Sequence, residues 1–207
     1  SLSRRQRQMC IRDRNKGNSN EVLGDLAKKR SYYGFLSAYL MNKPLNIKNI
    51  PYQASKDELK NLGSRFEINR IYELFILGKK RAARRELKYL MDNSSAINFS
   101  SLSLLFQKWG WSDGVILSYG KSKYFDHIEA RFPILYEEYF DKYSKSNTEK
   151  SLLLGIARKE SIFIQYAKSS AGALGVMQVL PRTAYWVLKK SKMKKVSRNY
   201  LYNKNMN

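Results

Sequence analysis

The chain has 207 residues, of which 43% are apolar and 13% aromatic, and it carries a formal net charge of +22. This apolar content is enough to bury a core, which excludes an intrinsically disordered chain. Its only cysteine, Cys10, excludes an intrachain disulfide, and one histidine, His127, leaves too few ligands for a zinc site. The charge predicts attraction to polyanions such as nucleic acid, an anionic membrane or an acidic polymer.

The first fourteen residues differ in composition from the rest of the chain. Five of them are Arg, whereas the remainder prefers Lys. We interpret residues 1–14 as a non-native basic segment, and a genuine basic arm is the alternative. They lack the apolar centre of a signal peptide, and no apolar run in the sequence approaches the roughly 20 residues of a membrane helix. We therefore expect no integral membrane segment.

From residue 15 onward the apolar spacing predicts helices nearly throughout and no convincing strand. One helix face is formed by Ile68, Ile71, Tyr72 and Phe75, and another by Ala83, Leu87, Leu90 and Met91. Helices of this length joined in pairs are typical of an α-superhelix. The predicted helices are 21–29, 31–41, a short one from Ser55, 66–77, 81–91, 98–109, 112–123 and 133–143. The polar stretch 142–150 predicts a linker, so we expect a superhelical domain over 15–144 and a second helical layer over 145–207.

Glu160 is the first candidate functional residue. Leu153, Ile156, Ala157 and Glu160 recur at helical spacing, and Ile164 extends the same stripe. Glu160 is thus the one ionisable group on a face that favours burial. Apolar surroundings disfavour an ionised carboxylate, which is what a general acid working near neutral pH requires. The alternative is a structural Glu at the edge of the stripe or in an ion pair.

A second carboxylate is missing near Glu160. No Asp or Glu follows it up to Asn207, and the nearest one upstream is Glu149. On one helix these two would lie roughly 16 Å apart. Paired-carboxylate glycosidases hold theirs about 5–9.5 Å apart. If Glu160 is catalytic, it therefore acts as acid and base in turn, or takes a partner from elsewhere in the chain.

Small residues follow the Glu160 segment. Ser169, Gly172 and Gly175 belong to a loop that allows close approach of a ligand and leaves backbone N–H groups free to donate. Met177 and Gln178 then offer an adaptable apolar contact and a hydrogen-bonding amide. The alternative is an ordinary interhelical loop with Met177 in the core.

Together these residues form the string E-S, ten residues, then G-A-x-G-x-M-Q-x-x-P-x-T-A, over 160–184. The string resembles the catalytic signature of the soluble lytic murein transglycosylases. The segment R-F-P at 131–133 is similar to that family's lead-in to its catalytic domain. Segments 32–38, 78–87 and 109–111 are similar to its helical superhelix.

This resemblance implies an all-α fold, namely an α-superhelix followed by an incomplete lysozyme-like α domain that continues beyond Asn207. It implies a peptidoglycan-cleaving lyase of the periplasm, with Glu160 as sole acid/base, without metal or cofactor, acting on glycan strands and not on nucleic acid. Substrate-binding residues would be Ser169, Gly172, Gly175, Met177 and Gln178. We expect the tail from residue 189, basic and poor in apolar residues, to be solvated, and the chain alone to be nearly inactive.

Two other functions remain open on sequence grounds. A lysozyme-like hydrolase would need a base to activate water, and the sequence around Glu160 offers none. A basic helical-repeat protein that binds RNA or DNA would explain the charge, although the lysines are scattered and no nucleic-acid motif is present.

Overall fold

A computed structural model describes residues 16–144, 149–193 and 197–203. These residues are all-α, as the pattern predicted, with two isolated β-bridges besides the helices. The helices are α1 (Lys16–Ala27), α2 (Tyr32–Leu40), α3 (Lys56–Gly63), α4 (Phe66–Ile76), α5 (Lys80–Asn93), α6 (Phe99–Lys108), α7 (Ser112–Lys121), α8 (Ile128–Arg131), α9 (Glu137–Tyr143), α10 (Lys150–Ser161), α11 (Pro181–Lys190) and a 3₁₀ turn (Arg198–Tyr202). The basic segment 1–14 and the centre of the predicted linker lie outside the described residues. None of the described helices has the length and apolarity needed to cross a membrane.

The chain divides into two compact units, Ser1–Ile50 and Pro51–Asn207. In the described part of the first unit, α1 and α2 pack as a pair. Ser31 caps α2 by accepting a hydrogen bond from the Gly34 N–H at 3.1 Å. Arg30 then donates from Nε to the carbonyl oxygen of Asn46 at 3.1 Å, which ties the irregular connection back to the helix pair.

The second unit contains the main core, built by α3 to α8. Ile68, Ile71, Ala83 and Leu87 are fully buried in it, and Phe75 and Met91 pack against it partly buried, which confirms these members of the two predicted faces. Tyr72 is 38% exposed, so its assignment to the buried face is wrong. Trp111 is 1% exposed at the centre, and its ring lies 5.4 Å from Phe75 and 4.8 Å from Phe106, measured between centroids. Helices α7 and α8 are held in place by this core, and they support the segment that carries Glu160.

Gly114 on α7 provides a test of this packing. A Cβ there would lie 2.6 Å from two ring atoms of Trp111, whereas one at Gly120 on the same helix would meet no atom within 4 Å. We expect Gly114→Ala to lower the free energy of unfolding by about 1–3 kcal/mol, because the buried indole cannot move aside. Gly120→Ala, the matched control, should raise it by roughly 0.5–1 kcal/mol through helix propensity. Denaturant melts of the two variants check this, and equal shifts would contradict it.

The predicted helix 133–143 is wrong at its start. The chain forms the short helix α8 and then begins α9 only at Glu137. Tyr136 is the reason, because its φ of 57° is left-handed and cannot continue a helix from Pro133.

His127, which precedes α8, is buried, and its Nδ1 lies 2.6 Å from the Tyr119 hydroxyl. Burial lowers the pKa of His127, so it packs as a neutral core residue.

The boundary predicted between the two helical layers falls where α9 ends, at Tyr143, and α10 begins, at Lys150. Residues 145–148 between them lie outside the described residues. The division into domains 15–144 and 145–207 therefore stays a prediction.

Candidate active site

Two arginines fasten the Glu160 helix, α10, to the helices before it. Arg131 donates from Nη1 to the Tyr119 carbonyl at 2.7 Å, and Arg158 on α10 donates from Nε to the Arg131 carbonyl at 2.9 Å. The Arg158 guanidinium also lies 4.3 Å from the ring centre of Phe132. Burial, and secondarily the charge of Arg131, lowers the pKa of Arg158. The R-F-P segment is thus the surface on which α10 is held.

A second, smaller core lies beneath the site. Its buried residues come from α7, α9, α10 and the loop after α10, and they are Ile116, Phe140, Ala157, Phe163 and Val176. Of the predicted apolar stripe, only Ala157 is fully buried; Leu153 is partly buried and Ile156 is 38% exposed. Glu160 itself is exposed and makes no hydrogen bond or ion pair with a described residue. The stripe is therefore partly open to water beside a free carboxylate.

The chain turns sharply directly after Glu160. Helix α10 ends at Ser161, and both Ile162 and Phe163 adopt left-handed φ values, 54° and 59°. Such conformations cost a non-glycine residue roughly 1–2 kcal/mol each, so the surroundings must hold them. Tyr136 does so by donating its hydroxyl proton to the Phe163 carbonyl at 3.2 Å. The prediction that Ile164 extends the helical stripe is wrong, because the helix has already ended.

Ser161 joins the end of the Glu160 helix to the segment that contains Met177. It is buried, and its hydroxyl oxygen lies 2.6 Å from the Val176 carbonyl and 3.2 Å from the Ala157 carbonyl. Because the hydroxyl has a single proton, we assign the hydrogen bond to the shorter contact, in which Ser161 donates to the Val176 carbonyl. Sequence reasoning missed this role, although a Ser that directly follows the candidate acid was a visible signal.

Met177 and Gln178 lie at the tip of a tight hairpin. Leu174 and Val179 exchange backbone hydrogen bonds of 3.1 and 3.0 Å across its base. Gln178 has a φ of 51°, and its side-chain amide donates to the Gly175 carbonyl at 2.8 Å. Met177 is partly buried against the second core. The structure therefore brings the hairpin to the same core as the Glu160 helix, with one of the two N–H donors of the Gln178 amide already engaged.

The loop from Ser169 to Gly175 offers fewer free N–H groups than we expected, because only those of Ser170 and Ala171 have no hydrogen-bond acceptor among the described residues. The backbone N–H groups of Ser169, Gly172, Ala173, Leu174 and Gly175 all donate within the loop and the hairpin. The Ser169 hydroxyl accepts the hydrogen bond from Ala173 N–H at 3.0 Å. Small residues serve here to close two consecutive tight turns, and Gly172 and Gly175 supply the positive φ values of 84° and 79°.

Part of the tail packs against this loop, so the expectation of a solvated tail is wrong for the 3₁₀ turn. Leu201 is buried, and Gln165 donates from Nε2 to the Tyr202 carbonyl at 3.1 Å. The rings of Tyr166 and Tyr202 lie 5.7 Å apart. The apolar surface of this short segment is enough to hold it in place despite the basic residues around it.

Two carboxylates that contact α10 lie at its opposite end. Lys150, the first residue of α10, contacts Asp141 at 2.7 Å and Glu137 at 2.6 Å, and these bonds raise its pKa. Ten residues of helix, about 15 Å, separate Lys150 from Glu160. The two carboxylates that Lys150 contacts are therefore remote from Glu160 along the helix, whereas Asp113 on α7 acts electrostatically on Tyr136, whose hydroxyl donates to the Phe163 carbonyl just after Glu160.

Two family models match the chain in its second compact unit. The Transglycosylase SLT domain matches residues 138–207, which include α10, the hairpin and α11. The Soluble lytic murein transglycosylase L domain matches residues 61–128, which include α4 to α7. The two matches follow one another along the chain, on either side of the R-F-P segment.

Proteins and solved structures similar to this chain belong to the same family as the two matching family models. A putative soluble lytic murein transglycosylase of Haemophilus influenzae is 31% identical over 167 residues, which is 80% of this chain and 28% of that protein. The structure of the lytic transglycosylase Slt of Pseudomonas aeruginosa, solved as an inactive Glu-to-Gln mutant, superimposes with a TM-score of 0.85 at 25% identity, over 98% of this chain and 33% of that one. The 70 kDa soluble lytic transglycosylase of Escherichia coli gives a TM-score of 0.76 at 26% identity, over 92% of this chain and 31% of that one. The chain thus spans less than a third of the length of these relatives, and it belongs to the soluble lytic murein transglycosylase family.

Proposed function

We propose that Glu160 is the sole acid/base of a lytic transglycosylase that cleaves the β-1,4 bond between N-acetylmuramic acid and N-acetylglucosamine in peptidoglycan. One observation carries the proposal: the Glu160 side chain is an exposed carboxylate at the end of α10 that makes no hydrogen bond or ion pair with a described residue, whereas Lys150 engages Glu137 and Asp141 at the other end of the helix. One carboxylate suits a reaction in which one group gives and then takes back a proton.

The proposed reaction is balanced and consumes no water. The Glu160 carboxylic acid protonates the glycosidic oxygen, and the bond from that oxygen to C1 of the muramic acid breaks. The C6 hydroxyl of the same sugar forms a new bond to C1, and its proton returns to the Glu160 carboxylate. The products are a free 4-hydroxyl on one sugar and a 1,6-anhydro ring on the other, with Glu160 protonated again.

The surroundings of Glu160 support this assignment. The Pseudomonas aeruginosa relative is described as inactive when one of its glutamates is replaced by Gln. The Ser161–Val176 bond joins the hairpin to the end of the Glu160 helix, which supports our proposal that Met177 and Gln178 line a sugar cleft together with Ser169, Gly172 and Gly175. Glycan strands of peptidoglycan are then the partner, and the periplasm is the compartment in which the protein works.

Analysis of the products tests the reaction class. The full gene product is incubated with purified sacculi, and the released muropeptides are separated and weighed by mass spectrometry. A lytic transglycosylase leaves anhydro ends, which are lighter by one water than the reducing ends that a hydrolase leaves. Reducing ends would establish the hydrolase instead, and absence of any release would remove the enzymatic proposal.

A further inference from the structure

The left-handed turn after Glu160 is held by few bonds of its own. The Ile162 N–H donates to the Arg158 carbonyl at 3.1 Å, and the Phe163 N–H reaches the Ala157 carbonyl only at 3.5 Å. Helices often end in this pair of bonds, but the residue that then turns left-handed is usually glycine. Here two bulky residues adopt that conformation in succession, with φ values of 54° and 59°. The last turn of α10, which carries Glu160, therefore depends on contacts from outside the helix.

Tyr136, which directly precedes α9, supplies such a contact. Its hydroxyl donates to the Phe163 carbonyl at 3.2 Å, and the two rings meet edge to face with their centroids 6.5 Å apart. Tyr136 is itself fixed, because its carbonyl accepts hydrogen bonds from the N–H groups of Tyr139 at 3.0 Å and Phe140 at 3.3 Å. The Phe140 ring also packs against Phe163, at 6.3 Å. The turn after Glu160 is thus attached to α9 by one hydrogen bond and two ring contacts.

The Tyr136 hydroxyl keeps its proton at neutral pH. Burial raises the pKa of Tyr136, and the neighbouring Asp113 and Tyr166 raise it further. Asp113 is held on α7 by its ion pair with Arg84 of α5, at 2.6 Å. Because a raised pKa favours the protonated phenol, the donor to the Phe163 carbonyl is present on both sides of neutral pH.

We infer that Tyr136 is a positioning residue for Glu160, because its hydroxyl fixes the left-handed turn and thereby the end of α10; this inference rests on the proposed function of Glu160. Without that bond, the Phe163 carbonyl is released and the strained turn can relax toward ordinary φ values. The Ala157 and Arg158 carbonyls then lose their donors, and the last turn of α10 frays. Glu160 lies in that turn, so its carboxylate moves away from the glycosidic oxygen that it protonates.

The test compares Tyr136→Phe with Tyr72→Phe in the full gene product, acting on soluble glycan strands well below the melting temperature. The first variant removes the hydroxyl and keeps the ring that packs against the second core. The second variant is the matched control, because the Tyr72 ring packs against Trp109 and its hydroxyl makes no hydrogen bond with a described residue. We expect kcat of Tyr136→Phe to fall about tenfold with KM changing less than about twofold, and Tyr72→Phe to change neither by more than about twofold.

A further substitution separates the position of the turn from the stability of the fold. Glycine adopts left-handed φ values without strain, so Ile162→Gly in the Tyr136→Phe background lets the turn form without the hydroxyl. We expect this double variant to regain at least about threefold in kcat. Its melting temperature falls further, because Ile162 packs against the second core. A hydroxyl that only stabilised the fold would give a kcat that falls together with the melting temperature.

Three results would overturn the inference in a parent that cleaves glycan strands. They are a kcat of Tyr136→Phe within about twofold of the parent, a loss equal to that of Tyr72→Phe, and a loss that Ile162→Gly leaves unchanged. A parent that cleaves no glycan strand would instead refute the proposed function of Glu160, and with it the inference.

Discussion

The full gene product carrying Glu160→Gln is expected to release muropeptides from sacculi roughly 10²–10⁴-fold more slowly than the parent. The amide keeps the shape and the hydrogen-bonding capacity of the side chain, but it cannot give or accept the proton of the glycosidic oxygen. Because Glu160 has no partner among the described residues, its replacement should leave the fold and the binding of sacculi unchanged.

Glu149→Gln is the matched control. Glu149 is an exposed carboxylate at the other end of the same helix, so the change removes the same charge from α10. We expect less than a twofold change in its rate of muropeptide release. Comparable losses in both variants would assign the effect to surface charge, and near-normal activity of Glu160→Gln would remove this residue from the mechanism.

Ser161→Ala is expected to have the second largest effect. The change leaves the Val176 carbonyl without its hydrogen-bond donor at 2.6 Å, in a buried position. An unsatisfied buried acceptor costs about 1–3 kcal/mol, which lowers the melting temperature of a unit of this size by roughly 2–12 °C. The hairpin that carries Met177 and Gln178 is then no longer fixed to the end of the Glu160 helix. A displacement of about 1 Å in such a site costs around 100-fold in rate.

An effect on the position of the hairpin is separated from an effect on the stability of the fold by measuring kcat well below the melting temperature. We expect kcat of Ser161→Ala to fall by about 10–100-fold there, with KM changing less. Ser151→Ala on the same helix is the control, because Ser151 is exposed and its hydroxyl meets only Glu149. A lower melting temperature with normal kcat would show that Ser161 stabilises the fold but does not position the hairpin for catalysis.

The superhelix was predictable because its helices repeat simple apolar faces. Ile68 and Ile71, like Ala83 and Leu87, face one core at helical spacing, and they are buried where the pattern places them. Helix ends were predictable where Gly or Ser mark them, as at Ser55, which caps α3.

The candidate site residues follow from the motif, whereas the local geometry does not. The motif selects Glu160, Met177 and Gln178 as candidates, but nothing in the composition indicates that Ile162 and Phe163 adopt left-handed φ values, since β-branched and bulky residues rarely do so. The hydrogen bonds that occupy the loop depend on pairings such as Gly175 to Ala167, which local pattern does not reveal.

The second core also bears on how this protein can change through evolution. Ile116 lies in the region that matches one family model, and Ala157 and Val176 lie in the region that matches the other. The Arg158–Arg131 bond joins the Glu160 helix to a segment between the two matched regions. Any segment that replaced the part from residue 138 onward would have to bring side chains that cover Ile116 and a donor for the Arg131 carbonyl. The second core therefore limits which segments can take the place of the Glu160 region on the preceding helices.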